Sequence, residues 1–561
     1  MASKIPLIVF LLVSILFILP LAIMVYGSLI PSFAVADRLK ISTTFIVKAF
    51  TAKDTLPLLW NTILYGAGGS LLAIALGGTF AWLMERTDIP GKKYLSFMPI
   101  LSLTLPLAVK GFAWIFLFHP RIGLVNIGLE QLFNLGGPPF NIYSIWGMIF
   151  AWGTGGIPLS YLLIQTALRS MDPTLEEASR AAGNGILSTL RKVTIPVIAP
   201  AILSAYLLLT IMGTENFDYP FLLGTPAGVN TLATKMYDLV ETRLQISAAS
   251  AYGIIYIAIT FILMGIYVWS VRKSFRFVVV TGKAARLSFF KLGRWRWAAF
   301  AFCVIILALS FGLQMGMVVL VSLVPYYTVG GGYNPFSVLT LDNYAKAIAL
   351  PQFWLSVLNS FELSLAAAVI ATLLGSVMTY AMVKGKTRGR KVLEFMSTLP
   401  LAFPGILYAI GLIWTAFLVP GLVFIYGTTW IMLLALVVVW LPFSIRYISA
   451  NLVQISNELE EASAVSGSRW SRTFFWVTMP LLKGGMVNSF IYVFVNSFRE
   501  LGAVVILSNA STIVMIVLLL NLFEQQAGAY PVVAAMSVIM VLMLTATIVL
   551  TRIITRTSVR S

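Results

Sequence analysis

Charge is what this 561-residue chain has little of. Only 10% of its residues are Asp, Glu, Lys or Arg, against roughly 25% in a soluble globular domain. It also has one cysteine, Cys303, and one histidine, His119. One cysteine cannot close an internal disulfide, and with one histidine it cannot form a Cys/His zinc site. The same scarcity leaves no clustered catalytic set and no HExxH pair, so a membrane enzyme is disfavoured. Water-soluble enzymes, disordered scaffolds and disulfide-rich secreted proteins are excluded. What the chain has in excess is apolar side chains, at 59% of residues, with a mean hydropathy of +0.93. An all-α integral membrane protein with many spans remains.

Twelve apolar runs are each long enough to cross a hydrocarbon core of about 30 Å. They lie near 5–30, 58–83, 94–118, 142–168, 197–220 and 249–271, then near 298–323, 355–383, 392–417, 424–449, 484–508 and 531–551. With the N-terminus placed in the cytoplasm, 28 of the 38 Lys and Arg fall on the inner side, eight on the outer side, and Lys110 and Arg499 inside spans. That bias fixes the orientation, with both termini cytoplasmic. The net charge of +18 therefore faces anionic membrane lipid, and no nucleic-acid partner is needed to explain it. Lys4, the first apolar run and Ala34-Val35-Ala36 permit a signal-peptide reading. The run is longer than a typical signal core, which favours a retained membrane helix.

The chain repeats itself. Trp60-Asn61-Thr62 pairs with Leu358-Asn359-Ser360, and Gly77, Gly91, Phe97 and Pro106 pair with Gly375, Gly389, Phe395 and Pro404, at an offset of 298. Beyond a contraction in the outer loop the offset is 284. Pro158 then pairs with Pro442, Glu177 with Glu461, Gly183 with Gly467 and Pro196 with Pro480. An even number of spans per half gives a parallel repeat with a pseudo-two-fold along the membrane normal, and a natural substrate path between the halves. The expected units are residues 1–271, a basic cytoplasmic linker at 272–297, and residues 298–561. The linker has eight Lys/Arg and no acid. Its aromatics, among them Phe290, Trp295 and Trp297, fit an interfacial helix; a solvated tether fits equally.

The most informative segments are the inner loops at 171–196 and 455–480. The first runs Asp172-Pro173-Thr174-Leu175-Glu176-Glu177-Ala178-Ser179-Arg180-Ala181-Ala182-Gly183 and ends Val193-Thr194-Ile195-Pro196. The second runs Glu460-Glu461-Ala462-Ser463-Ala464-Val465-Ser466-Gly467 and ends Val477-Thr478-Met479-Pro480. Each predicts a short helix, a glycine reversal with positive φ, and a second short helix stopped by proline. Asp172 can cap, Pro173 suits the first turn, and the acids favour a helix N-terminus. Small residues give a smooth face that another protein can approach. A rigid hairpin at the same place in both halves can transmit a push from a soluble partner.

Both loops resemble the Glu-Ala-Ala motif of ATP-binding-cassette importer permeases, E-A-A-x3-G-x9-I-x-L-P. Glu177-Ala178-Ser179, Gly183, Val193, Ile195 and Pro196 match it, as do Glu461-Ala462-Ser463, Gly467, Val477, Met479 and Pro480. The departures are Ser for the second Ala, Val for Ile, and Ile or Met for Leu. Two copies in one twelve-span chain are similar to the fused permeases of the ferric-iron type, and the resemblance covers nearly the whole chain. It implies that the hairpins dock on two copies of a cytoplasmic ATP-binding-cassette ATPase. ATP and Mg²⁺ would sit on that partner, and no cofactor on this chain. It also implies that an extracytoplasmic binding protein delivers substrate across a bacterial or archaeal cell membrane. Thiamine, polyamine and phosphonate carriers are the neighbouring alternatives. A phosphate-binding loop needs G-x4-G-K-[ST]. Gly385-Lys386-Thr387 has only the tail, because position 380 is Tyr.

Ionisable residues within spans cost roughly 2.5–3.5 kcal/mol on insertion scales and mark function. The candidates for a translocation path are Lys110, Glu215, Asp218, Glu362, Arg499 and Glu500. Thr214-Glu215-Asn216-Phe217-Asp218 and Phe498-Arg499-Glu500-Leu501-Gly502 fall in the fifth span of each half, directly after the motif loop. They are expected to face each other, with Arg499 paired to Glu215 or Glu500 as a gate or as a static link. Four acids against two bases lean toward a cationic cargo, and oxygen ligands suit Fe³⁺. Gly224-Thr225-Pro226-Ala227-Gly228 looks like an outer loop of the ferric group. It serves either binding-protein docking or a simple turn. An ion-coupled secondary transporter is the competing class, but it leaves the matched hairpins unexplained.

Overall fold

The computed structural model describes residues 14–32, 40–274, 290–327, 335–384, 397, 399–456, 458–468, 470–525 and 527–560. The start of the first run, Ala34-Val35-Ala36, most of the linker and Gly385-Lys386-Thr387 lie outside the described residues. Among the described residues there is no strand, only an isolated bridge between Thr87 and Phe290. This is what lipid imposes: a helix satisfies its own backbone groups where no water can.

Twelve of the described helices, six per half, follow the repeat order. The first half holds α1 (Ile15–Gly27), α2 (Thr55–Arg86), α3 (Leu107–Phe118), α4 (Ile145–Ser170), α5 (Ile186–Glu215) and α6 (Ile246–Ser274). The second holds α7 (Trp295–Ser322), α8 (Phe353–Val383), α9 (Gly405–Leu418), α10 (Thr429–Leu452), α11 (Lys483–Phe498) and α12 (Tyr530–Arg560). Eight of them are long and apolar enough to cross a membrane.

Four of the expected runs are broken rather than continuous. The run at 94–118 is divided into Lys92–Leu95, Met98–Ser102 and α3. Pro106 begins α3 with ψ near 145°, and Pro404 begins α9 in the same way. Proline lacks the N–H that would continue a helix through it and pushes its predecessor toward extended backbone. The runs at 197–220 and 484–508 break at Asn216–Phe217 and after Phe498. The proline breaks carry no fall in hydropathy, whereas those at Asn216 and Arg499 fall on Thr214-Glu215-Asn216-Phe217-Asp218 and Asn496-Ser497-Phe498-Arg499-Glu500, where it drops sharply.

The halves are consecutive in sequence but interleaved in space. α1 packs between α6 of its own half and α9 of the other, while α7 packs on α2 and α3 as well as on α12. Gly27 lies flat on the Trp414 indole and Gly411 on the Pro20 backbone, with no room for a Cβ at either. Within each half, α2 crosses α4 and α8 crosses α10 at glycines of the repeat. A Cβ on Gly77 would come within 2.8 Å of Ser160 and the Ile157 carbonyl, and one on Gly375 would strike Ser444. Small residues let membrane helices approach closely, and dispersion then holds them.

Candidate functional site: two cytoplasmic hairpins and a polar layer between the halves

The chain leaves α4 and turns at Asp172, whose carboxylate accepts from the Thr174 N–H at 2.9 Å. That backbone bond holds the Asp172 pKa below its ordinary value. Helix Thr174–Ala181 follows, and Gly183 at φ +84° turns the chain back. The second half repeats this with helix Glu458–Val465 and Gly467 at φ +75°. Glu177, Ala178 and Gly183 are exposed and Ser179 is half-buried; Glu461, Ala462, Gly467 and Ser463 are disposed in the same way. The serines join the two arms of each hairpin, Ser179 to Thr189 at 3.1 Å and Ser463 to Thr473 at 2.9 Å. Replacing the second alanine of the motif thus adds a hydroxyl link in both copies.

Pro196 does not stop the second arm of the first hairpin, whereas the matching arm of the second hairpin ends at Leu481, directly after Pro480. From Ile186 the chain stays helical to Glu215, through a π turn at Leu190–Thr194 just before Pro196. A π turn at Phe474–Thr478 precedes Pro480 in the same way. The wider turn accommodates the missing N–H and the ring that would otherwise crowd the preceding turn. The first hairpin's second arm is therefore the cytoplasmic end of α5, and a push on it is a push on that span. Pro196 and Pro480 are themselves exposed.

The residues that seat the hairpins were not evident in the sequence. Glu176 is 3% exposed and Arg86 1%, with Nε 2.8 Å from the Glu176 carboxylate. Successive helix positions are about 100° apart, so Glu176 faces in while Glu177 faces out. Their counterparts are Glu460 and Lys384, 4.0 Å apart. A usable signal was present: an acid before the motif and a cation ending the second span recur in both halves.

Deep in the bundle, the two broken spans meet. A Cβ on Gly502 would lie 3.6 Å from Phe217 Cβ. Asp218 accepts from Asn216 Nδ2 at 3.1 Å, and Asn216 accepts from Tyr65 OH at 2.8 Å. Lys110 donates to Ser102 at 2.9 Å, and Ser102 donates to the Ser310 carbonyl of α7 at 2.6 Å, a chain that crosses between halves. Glu500 accepts from the Ala503 N–H at 3.3 Å. The expected ion pair is absent among the described residues. Arg499 instead donates to the carbonyls of Leu103 and Leu105 and to Asn496 Oδ1. Those carbonyls are freed where the helix breaks before Pro106, and a guanidinium fork suits several acceptors at once. Glu215 is half-buried, and its Oε1 has no hydrogen-bond partner among the described residues. Glu362 is exposed on α8 and does not join this layer. Its charge within a span put it among the candidates, but α8 turns that face outward. Among the described residues no three acids, histidines or cysteines come close enough to hold a metal ion.

On the outer side, Thr225–Ala227 forms an exposed 3-10 turn closed by Gly228 at φ +71°. A Thr231–Thr234 capping box starts the next helix, and Lys235 bonds Asp54 at 2.7 Å. The two halves tie this region down alike. Asn61 Nδ2 donates to Asn230 O and Asn359 Nδ2 to Ile513 O, each at 3.0 Å. Thr62 accepts from the Leu232 N–H at 3.0 Å and Ser360 from the Met515 N–H at 2.7 Å.

The family profile described as "Binding-protein-dependent transport system inner membrane component" matches twice, over residues 73–276 and 371–559. The ferric transport system permease protein FbpB of Actinobacillus pleuropneumoniae is 27% identical over 474 residues, 83% of this chain and 66% of that protein. A putative ferric transport permease of Haemophilus influenzae is 26% identical over 480 residues, 83% and 72% of the two chains. The chain thus spans somewhat under two thirds of the first of these relatives. The molybdenum transport permease ModB of Escherichia coli is 30% identical over 221 residues, 38% of this chain and 94% of that protein.

Proposed function

This chain belongs to the family of binding-protein-dependent transport system inner membrane components, and from that premise we propose that it is the fused membrane subunit through which Fe³⁺ is imported. It carries two copies of the family's unit in one multi-pass inner-membrane chain. The observation that carries the mechanism is the pair of exposed hairpins, the first of which continues directly into α5. Two copies of a separate ATPase engage Glu177-Ala178-Ser179 and Glu461-Ala462-Ser463. Their closure on ATP tilts α5 and α11, and the breaks at Asn216–Phe217 and Arg499–Gly502 let the outer portions of these spans move separately. Glu215, Asp218, Glu500, Arg499 and Lys110 line the path opened between the halves. ATP and Mg²⁺ reside on the ATPase, and an extracytoplasmic binding protein supplies cargo. The positive-inside bias supports two cytoplasmic termini.

The ferric assignment is supported by the likeness to ferric transport permeases and by the buried carboxylates and tyrosines near the breaks. The likeness to ModB, the buried Lys110 and the half-buried Arg499 favour a second reading, import of an oxyanion such as molybdate. Proteoliposomes holding this chain, its ATPase and its binding protein separate the readings. ATP-dependent uptake of Fe³⁺ from the loaded binding protein is expected. Uptake of molybdate but not Fe³⁺ supports the second reading, and uptake driven by a pH gradient without the ATPase overturns both.

A further inference from the structure

The described end of the linker is built into the seat of the first hairpin. Phe290 pairs in parallel with Thr87, just past the end of α2. Its N–H donates to the Arg86 carbonyl at 2.8 Å, and its carbonyl accepts from the Asp88 N–H at 3.2 Å. Leu292 N–H then donates to the Asp88 carboxylate at 2.8 Å. Backbone groups paired in this way leave water at little cost, so the segment can be buried.

The side chain goes in with the backbone. Phe290, one of the aromatics that suggested an interfacial helix, is 2% exposed. Its ring centre lies 6.0 Å from that of Trp82 on α2. Arg180, on the hairpin helix Thr174–Ala181, holds its guanidinium over the Phe290 ring at 5.1 Å. A guanidinium within about 6 Å of a ring face is attracted by the ring's π electrons. Arg86 serves both parties: its carbonyl takes the Phe290 N–H, and its guanidinium lies 2.8 Å from Glu176 of the hairpin.

The same few residues lead into the other half. Trp295 N–H donates to the Leu292 carbonyl at 3.1 Å, and α7 begins there. Along α7, Cys303, Ile306 and Leu307 are buried in one cluster with Phe80 of α2 and Tyr161 of α4. Further on, the Ser310 carbonyl accepts from Ser102, which accepts from Lys110 of the polar layer. One end of α7 is thus tied to the first hairpin and its middle to the polar layer.

We infer that Phe290 is a positioning residue of the first lever, through which the linker end ties the first hairpin to α7 of the other half. The inference rests on the reading of the hairpins as ATPase levers. A stroke on the first hairpin then moves α5 in its own half and α7 in the other, so both halves answer to one ATPase contact.

Hydrogen exchange on the purified chain tests the tie without the ATPase. Phe290→Leu keeps an apolar side chain and loses the ring face, and Arg180→Met keeps an extended side chain and loses the cation. Each should speed amide exchange over 174–181 about twofold to fivefold, the size of an exposed cation–π contact. The double variant should exchange no faster than the faster single one, and Arg180→Lys should stay close to the unmodified chain. In the complete transporter, Phe290→Leu should lower the Fe³⁺ moved per ATP hydrolysed about twofold to fivefold, with the ATPase still bound. Cys303, the chain's single cysteine, is buried in α7 and reports on that helix. Its alkylation by a small maleimide should change on ATP binding, and by much less in Phe290→Leu. Additive effects of the two substitutions, or unchanged exchange over 174–181, overturn the tie. No ATP response at Cys303, or one that Phe290→Leu leaves intact, overturns the movement of α7. Failure of the ATPase to bind the unmodified chain sinks the lever reading instead, while the exchange comparison still stands on its own.

Discussion

At the scale of single residues, a buried charge is defined by the partners it meets, which one sequence does not name. Arg499 was expected opposite a carboxylate and instead caps two carbonyls left by a helix break. Arg499→Ala would orphan both, at about 1–3 kcal/mol for each buried acceptor, and would loosen the contact between halves. Thermal unfolding in detergent should show a clear loss of Tm. Glu215→Gln removes a half-buried carboxylate whose Oε1 has no hydrogen-bond partner among the described residues, so Tm should hold or rise. The exchange Glu215→Arg with Arg499→Glu should not rescue stability, since neither carbonyl regains a donor. A rescue would mean that the two side chains pair after all. The same limit explains Glu176 and Arg86. The first was passed over beside its motif neighbour Glu177, and the second was counted as one more inner-side charge. Only the direction each side chain takes from its helix separates an anchor from a docking contact.

At the scale of elements, the repeat made much of the architecture legible. Gly77 and Gly375 recur at a fixed offset because each sits at a helix crossing where a Cβ has no room. Gly77→Leu should force α2 from α4, at about 1–3 kcal/mol or more of overpacking, and Gly375→Leu should do the same to α8 and α10. Gly128→Leu, at a position with open space around it, should leave the Tm of the purified protein unchanged. Equal tolerance at all three positions would count against close crossing. What the elements hid is their continuity. Pro196 and Pro480 were read as stops, yet a π turn carries the first helix past Pro196 into its span, while the second helix ends at Leu481, one residue beyond Pro480. The breaks at Asn216 and Arg499 fall on the charged stretches of their runs, which marked candidate function and were not read as helix ends. A proline has the same identity at a helix start, a stop or a widened turn, and the surrounding packing selects among them.

At the scale of the whole molecule, the order of spans was readable and their partners were not, because a hydrophobic run does not say which groove it fills. α1 fills a groove on α9, and α7 fills one on α2 and α3. Each half expressed alone therefore leaves a helix without its partner and a groove without its helix. A break between Lys283 and Ala284 keeps Phe290 and its contacts with the second half and severs only the covalent link. Neither fragment should accumulate in the membrane alone. Co-expressed, the fragments should copurify and restore ATP-dependent uptake, because interleaved packing rather than the peptide bond holds the halves together. Fragments that fold stably alone and do not associate would show that each half completes its own core. The hairpins would then act on two independent bundles, and a path between them could not be opened by a stroke delivered to either side.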